Sequence, residues 1–415
     1  MFSSQFSSNS TRKMEVLKYV LFFAVITVVS AWPNKKFRDF GEKKENFREV
    51  FHDVNFQSIK DNFEAKKNPL SDNVTEPLPQ RSFRLPNNTI PLHYDIHLRT
   101  NIHRDFNNFP RDIDGEVKIH IKVLEQSRNI TLHQDRIGIH EVNLFNIDGS
   151  LLEAQPLLTR DFSLNMITIT AQNELEIDQE LIVQAYYSGM MGDSEGFFMS
   201  SYFDPELNQI VNIGTTNFEP IMARRAFPCY DEPRFRASFN LIIDHHKTFH
   251  AISVMPVIAI SDEDDEGFVS TMFEQTQYMP TYMLGFTVSR FSHVSNNDTE
   301  RPMRVYARPQ AVNAAEADEA LELGELFLKT MEDFSGIPYS LSKADQVATL
   351  SWQNSASWGL ISTSQDYLLK THDENWSTQF FRENDIANGF LVRFLIKYCN
   401  LMIFFNDINL IFKHN

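Results

Sequence analysis

The sequence predicts a mainly β fold, with an antiparallel sandwich over residues 81–296. Apolar residues alternate with polar ones from Val117 to Val123, and the runs Ile167–Ile169 and Leu181–Ala185 repeat that period of two. Such alternation is typical of strands with one face on a core and the other in water. Turn dipeptides, including Asp114-Gly115, separate the runs, so we expect several sheets whose strands are joined by short turns.

A helical period replaces the β period only after residue 301. Between Ala311 and Phe334, alanine, leucine and methionine recur at helical spacing among acidic residues. Gly336 and Pro338 follow, and both residue types end helices. We therefore expect a second region, with mixed helix and strand, over residues 301–415.

Composition and charge restrict the possible functions. The 415 residues are 42% hydrophobic and 22% charged, as in globular proteins that bury a core. With 38 Lys and Arg against 55 Asp and Glu, the formal charge is −17, which repels a phosphate backbone. We expect no nucleic-acid partner. The two cysteines, Cys229 and Cys399, are too few for a disulfide scaffold and lack the spacing of a thiolate zinc site.

The N-terminus predicts export from the cell. An uncharged apolar run from Tyr19 to Ala31 follows basic residues and ends in Val-Ser-Ala, the features of a cleavable signal peptide over residues 1–31. Residues 32–80 are polar and close with a cluster of prolines, so we expect a linker and a secreted or extracellular protein. Five Asn-x-Ser/Thr sequons are candidate glycosylation sites: Asn73, Asn87, Asn129, Asn297 and Asn375.

A series of short motifs carries a resemblance to a known family. The longest is the eleven-residue string Ala223–Pro233, ARRAFPCYDEP, which follows Phe218-Glu219-Pro220. Further motifs keep the family's order downstream: Met255-Pro256, Thr281–Leu284, Tyr306–Pro309, Gly336–Tyr339 and Asp345–Ala348. Together they cover about residues 83–369 and resemble the zinc aminopeptidase N family, gluzincin metallopeptidases of the membrane alanyl aminopeptidase type.

That resemblance implies a saddle-like N-terminal β domain followed by an incomplete α+β, thermolysin-like domain. It also implies an extracellular enzyme that releases N-terminal amino acids from peptides. In the family, a Glu of a G-A-M-E-N loop and a Gln or Glu of the β domain hold the α-amino group of the substrate. An H-E-x-x-H helix binds zinc, and the Glu of that helix activates the zinc-bound water.

The sequence departs from the family pattern at both amino-group anchors. Ala356 stands where the loop Glu belongs, in a loop that reads TLSWQNSAS and contains no carboxylate. Asn217 stands at the β-domain anchor, where its carbonyl can accept a hydrogen bond but brings no charge. We therefore expect weak binding of an amino terminus at Asn217 and a degenerate anchor at Ala356.

The zinc helix is altered in the same way. Counted back from Asn400, the His, Glu and His positions of H-E-x-x-H hold Leu391, Val392 and Leu395, which cannot coordinate a metal. We expect no metal site, no cofactor and no catalytic residue in this chain, although the family uses zinc.

Three other groups of polar residues are interpreted as structural. The histidines between residues 245 and 250 follow a strand, and neighbouring strand residues point to opposite faces, so a solvated turn is preferred to a metal site. Asp231-Glu232 are expected to fix a turn and to pair with Arg224 or Arg225. The acidic run 262–266 lacks the glycines and spacing of a calcium loop and is expected to be a solvated loop.

Three interpretations of the whole chain remain open. In the first, the chain is a truncated, inactive homologue that acts as a secreted binding module for peptides or an extracellular protein. In the second, it is an active metalloaminopeptidase whose sequence is wrong or truncated after about Leu369. In the third, it is a non-functional remnant. Membrane insertion of Phe390–Phe405 is not favoured, because Arg393 and Lys397 cost more than the apolar residues gain. Family landmarks that persist as far as Asp407 favour a genuinely diverged homologue over a sequence error after Leu369, and the choice between binding module and remnant stays open.

Overall fold

The computed structural model describes residues 82–104, 113–192, 194–296, 298, 300–336, 338–351, 355–371 and 376–399. The predicted signal peptide and linker lie outside these residues, as do the sequons at Asn73, Asn297 and Asn375. The described strands are β1 (Thr89–Thr100), β2 (Ile113–Val123), β3 (Ser127–His133), β4 (Ile137–Asn146), β5 (Leu151–Ala154), β6 (Leu157–Asp161), β7 (Met166–Leu175), β8 (Glu180–Gly189), β9 (Gly196–Asp204), β10 (Gln209–Asn217), β11 (Ser238–His246), β12 (His250–Ser253), β13 (Val257–Ile260), β14 (Phe268–Phe273), β15 (Phe286–Ser289), β16 (Ser292–Ser295), β17 (Met303–Ala307), β18 (Ala344–Thr349), β19 (Ser355–Ser357) and β20 (Leu360–Ser364). The described helices are α1 (Pro309–Asn313), α2 (Asp318–Ser335), α3 (Gln365–Leu368) and α4 (Trp376–Cys399).

An eight-stranded sheet, in the order β13-β14-β11-β1-β2-β8-β4-β5, forms the largest layer. Its strands follow the alternation in the sequence: in β2, Val117, Ile119, Ile121 and Val123 are fully buried while the intervening residues are half-exposed. Strands β7 and β8 bury the predicted residues in the same way. The prediction of a mainly β fold is confirmed.

Two smaller sheets complete the N-terminal β region. The four-stranded sheet has the order β12-β15-β10-β9, and the three-stranded sheet has the order β3-β7-β6. Most neighbouring strands are antiparallel, as expected, but β1 and β11 pair in parallel, with His93 opposite Ser238. This pair joins the first described strand to a strand that comes much later in the sequence.

A five-stranded mixed sheet, β16-β17-β18-β20-β19, follows the β region. Strands β17, β18 and β20 are parallel neighbours, and β19 returns antiparallel along β20. Strand β16 pairs with β17 through Val294 and Val305. The boundary that the sequence suggested near residue 296 therefore lies between two paired strands of one sheet.

Helices α2 and α4 pack against this sheet and against each other. The predicted helix over 311–334 is divided between α1 and α2, and the Glu316 carbonyl in the intervening turn accepts a hydrogen bond from Lys370 N (2.8 Å). Ala315 has a φ of 59° at this break. Helix α2 ends at Gly336 in the left-handed conformation, with a φ of 67°, as its sequence indicated.

One continuous cluster of buried side chains joins the β region to the five-stranded sheet. It includes Met283 and Phe286 on the β side and Val347, Trp358 and Leu360 on the sheet side. The two parts therefore share a hydrophobic core.

Candidate functional site

Strand β10 ends at Asn217, the residue at the predicted β-domain anchor. Its side chain is 7% exposed, and its Nδ2 donates to the Ser194 carbonyl over 3.4 Å. The preceding residue, Thr216, is fixed by two bonds to Phe286: its hydroxyl donates to the carbonyl and accepts from the backbone N–H, at 3.1 and 2.9 Å. These bonds hold the end of β10 in place and thereby fix the backbone position of Asn217.

Strand β19 carries Ala356, the residue at the predicted loop anchor. Ala356 is opposite Ile361 of β20, and Trp358 N donates to the Met283 carbonyl over 3.0 Å. Gly285 lies close to side chains of β19 and β10: a Cβ placed at Gly285 would lie 2.5 Å from Ser357 Cβ and 3.4 Å from Thr216 Oγ1. The structure thus brings strands β10 and β19 to the same glycine through Thr216 and Ser357, the residues next to Asn217 and Ala356.

A carboxylate remains beside this junction at Glu219. Its side chain is half-buried, and its charge acts on Tyr282, in the turn that supplies the Met283 carbonyl. Burial, and secondarily the Glu219 carboxylate, raise the pKa of Tyr282 to about 12, while Arg236 acts in the opposite direction. In the sequence, Glu219 stands out only as part of the Phe-Glu-Pro family motif. Its position two residues after Asn217 was the available signal for a role in the site.

A buried ion pair between Arg224 and Asp231 stabilises the same turn. Arg224 Nε lies 2.9 Å from Asp231 Oδ2, and the Thr281 hydroxyl donates to Asp231 Oδ1 over 2.8 Å. Complete burial raises the pKa of the Asp231 carboxyl, and the Arg224 guanidinium opposes that rise. Of the two alternatives left by the sequence, Arg224 is therefore the partner of Asp231. Arg225 instead pairs with Asp135 and Glu195.

The histidines at 245–250 differ from the expected solvated turn. Strand β11 continues through His246, and His245 is buried, with Nε2 2.8 Å from the Thr271 hydroxyl. His246 points to the opposite face, as strand geometry requires, so the two rings do not converge. Within the part of the chain that the structure describes, no three His, Cys, Asp or Glu side chains are placed to hold a metal ion.

Helix α4 contains the positions predicted for the zinc ligands. It crosses β20 close to β19, since a Cβ at Gly389 would lie 2.8 Å from Ile361 Cγ2. Leu391, Val392 and Leu395 follow on the same helix, and none of these residue types offers a nitrogen, oxygen or sulfur ligand. The residues present here do not fit a zinc ion.

Two of the candidate glycosylation sites fall on described residues. Asn87 and Asn129 are both exposed. The Asn129 side-chain oxygen accepts a hydrogen bond from the Thr170 hydroxyl over 2.8 Å, and that of Asn87 accepts one from Arg234. Both amides therefore lie on the protein surface.

Among the described residues, no helix combines the length and the apolar character that a membrane span requires.

Residues 90–283 match the family model described as Peptidase M1 N-terminal domain. Residues 90–283 thus form an N-terminal domain of the M1 aminopeptidase family. The resemblance inferred from the motifs is confirmed.

Three curated relatives illustrate the similarity. The chain is 32% identical over 298 residues to endoplasmic reticulum aminopeptidase 1 of Homo sapiens, covering 71% of this chain and 31% of the relative. It is 31% identical over 315 residues to thyrotropin-releasing hormone-degrading ectoenzyme of Homo sapiens, covering 72% and 28%. It is 30% identical over 329 residues to membrane alanyl aminopeptidase of Manduca sexta, covering 74% and 32%. The chain thus spans about a third of the length of these relatives.

Proposed function

We propose that this chain is a catalytically inactive member of the aminopeptidase family that binds peptides without hydrolysing them. The observation that carries the proposal is the set of side chains at the zinc positions. Leu391, Val392 and Leu395 stand on helix α4 beside strands β19 and β20, and hydrolysis by this family depends on ligands there.

The proposal includes secretion. It is supported by the apolar run Tyr19–Ala31 with its small-residue end, and by the exposure of Asn87 and Asn129, which a glycosylated protein requires. The names of the relatives place them in the endoplasmic reticulum, at a membrane or outside the cell. Partners would then be extracellular peptides or proteins.

The purified full chain is expected to contain far less than one zinc ion per molecule and to release no amino acid from aminoacyl reporter substrates. The reason is the absence of ligands at Leu391, Val392 and Leu395. Elemental analysis and a chromogenic assay with and without a chelator measure both quantities. One zinc per chain with chelator-sensitive hydrolysis would instead support an active aminopeptidase and overturn the proposal.

Peptide binding is proposed to use the amino terminus, at the junction beside Gly285. Asn217 and Glu219 lie at the end of β10 on the β side of this junction, and we propose that the Asn217 carbonyl oxygen and the Glu219 carboxylate accept hydrogen bonds from the ammonium group. Ala356 supplies no second carboxylate. We therefore propose weak binding, with the missing charge at Ala356 as its main limit.

The variant Ala356→Glu is expected to bind a short unblocked peptide about tenfold more tightly, since a hydrogen bond to a charged group contributes about 1.5–3 kcal/mol. Isothermal titration against the same peptide with a free and with an acetylated amino terminus measures the gain. Ala356→Gln is the matched control and should gain little, because it brings no charge. An equal gain for the acetylated peptide would show that position 356 does not face the amino group.

A further inference from the structure

Strand β13 is the last described strand on one side of the eight-stranded sheet, so its outer edge pairs with no described strand. Val257, Ile258 and Ile260 are 45%, 66% and 62% exposed, so both faces of this short strand present apolar side chains to solvent. Edge strands are usually protected by charged residues, proline or a bulge. Strand β13 has neither charge nor proline, and its protection is limited to a register shift between Val257 and Ala259.

Carboxylates stand at both ends of this strand. The acidic loop 262–266 follows directly, and all five of its side chains are exposed, as the sequence predicted. At the other end, the backbone N–H of exposed Glu274 donates to the Pro256 carbonyl over 2.9 Å, which places Glu274 beside the start of β13. The edge is therefore apolar along its length and acidic at each end.

The acidic loop has a fixed shape and an excess of negative charge. The Asp264 carboxylate accepts hydrogen bonds from the Glu266 and Phe268 backbone N–H groups, at 2.9 and 2.8 Å. Arg99 lies 2.6 Å from Glu266, and Lys247 lies 2.6 Å from Glu263.

Asp262 and Asp265 form no ion pair among the described residues. The two cations Arg99 and Lys247 thus lie against five carboxylates of the loop. The remaining negative charge produces an electrostatic field that attracts a basic partner.

We propose that β13 is the docking edge for an extended basic peptide segment, with apolar residues at alternate positions and Lys or Arg at its ends. The segment adds to the sheet as a further strand: main-chain hydrogen bonds hold it along β13, and its basic ends meet the loop 262–266 and Glu274. A second copy of this chain is a poorer occupant, because each copy carries a formal charge of −17. The edge is separate from the junction beside Gly285.

The test uses the full chain and a fluorescently labelled acetyl-KVKVKVK-amide peptide, with acetyl-EVEVEVE-amide as the reference probe. Fluorescence polarisation should show saturable binding of the basic peptide, weakened by salt, and no binding of the acidic one. Introducing a charge on the edge, with Ile258→Lys and Ile260→Lys together, should weaken binding about tenfold or more. Asp262→Asn with Asp265→Asn should weaken binding severalfold and reduce its salt dependence.

The matched control lies on the opposite edge of the same sheet, in strand β5. Leu152 is 40% exposed there, and Leu152→Lys should leave peptide binding unchanged. Thermal unfolding of each variant checks that the fold is retained. Equal weakening by Leu152→Lys, or no preference for the basic peptide, would overturn the proposal. So would a dimer in sedimentation that the double lysine variant dissociates, because a second copy would then be the occupant.

Discussion

Replacing Asp231 with alanine is expected to destabilise the fold by about 3–5 kcal/mol, because it leaves a charge buried without its partner. Arg224 is 7% exposed and donates to Asp231 through its side chain and its backbone N–H. The Thr281 hydroxyl loses its acceptor as well. Urea unfolding followed by fluorescence measures the loss.

Glu195→Ala provides the matched control for Asp231→Ala. Glu195 is 39% exposed and contacts Arg225, which keeps Asp135 as its partner at 2.8 Å. Its removal is therefore expected to cost less than about 1 kcal/mol. If both substitutions destabilise the protein equally, the Arg224–Asp231 pair does not have the special role that its burial indicates.

Replacing Gly285 with alanine is expected to separate β19 from the β region. The new Cβ would lie 2.5 Å from Ser357 Cβ, an atom too close to its backbone to move aside freely. Overpacking of this kind costs about 1–3 kcal/mol, and here it acts on the junction that carries both anchor positions. Unfolding in urea should show the loss, and protease cleavage within residues 349–358 should become faster.

The double variant Gly285→Ala with Ser357→Gly separates a local clash from a general effect. Removing the Ser357 side chain removes the atoms that the new Cβ meets, so most of the lost stability should return. Additive losses in the two single variants would show that Ser357 does not face Gly285.

The pattern of apolar residues was sufficient to predict the strands that face one core. Strand β2 is an example, since every second residue from Val117 to Val123 is fully buried. Strand β13 could not be found in this way, because Val257–Ile260 contains no polar residue and lies at an edge, where burial does not select one face. The division of the helix near Ala315 was not predicted either, because alanine is a strong helix former and the φ of 59° at Ala315 leaves no signal in the sequence.

The candidate site depended on family resemblance more than on local pattern. Asn217 and Ala356 are distant in sequence, and no spacing rule predicts that their strands meet at Gly285. Resemblance to family motifs assigned both positions, and in the structure Thr216 and Ser357, the residues next to them, both lie close to Gly285. Resemblance could not assign a role to Glu219, although this residue lies within the motif Phe218-Glu219-Pro220. Burial of His245 was missed because the end of β11 was placed too early.

The parallel pairing of β1 with β11 has a consequence for the order in which the newly made chain can fold. Ser238 follows His93 by 145 residues, so one side of β1 has no strand to pair with until that stretch has been synthesised. At about 5–20 residues per second, the ribosome needs roughly 7–30 s to supply it. Throughout that interval a nascent hairpin of β1 and β2 presents an open, β-rich edge. Molecular chaperones that hold exposed strands would therefore have their longest opportunity to act at β1.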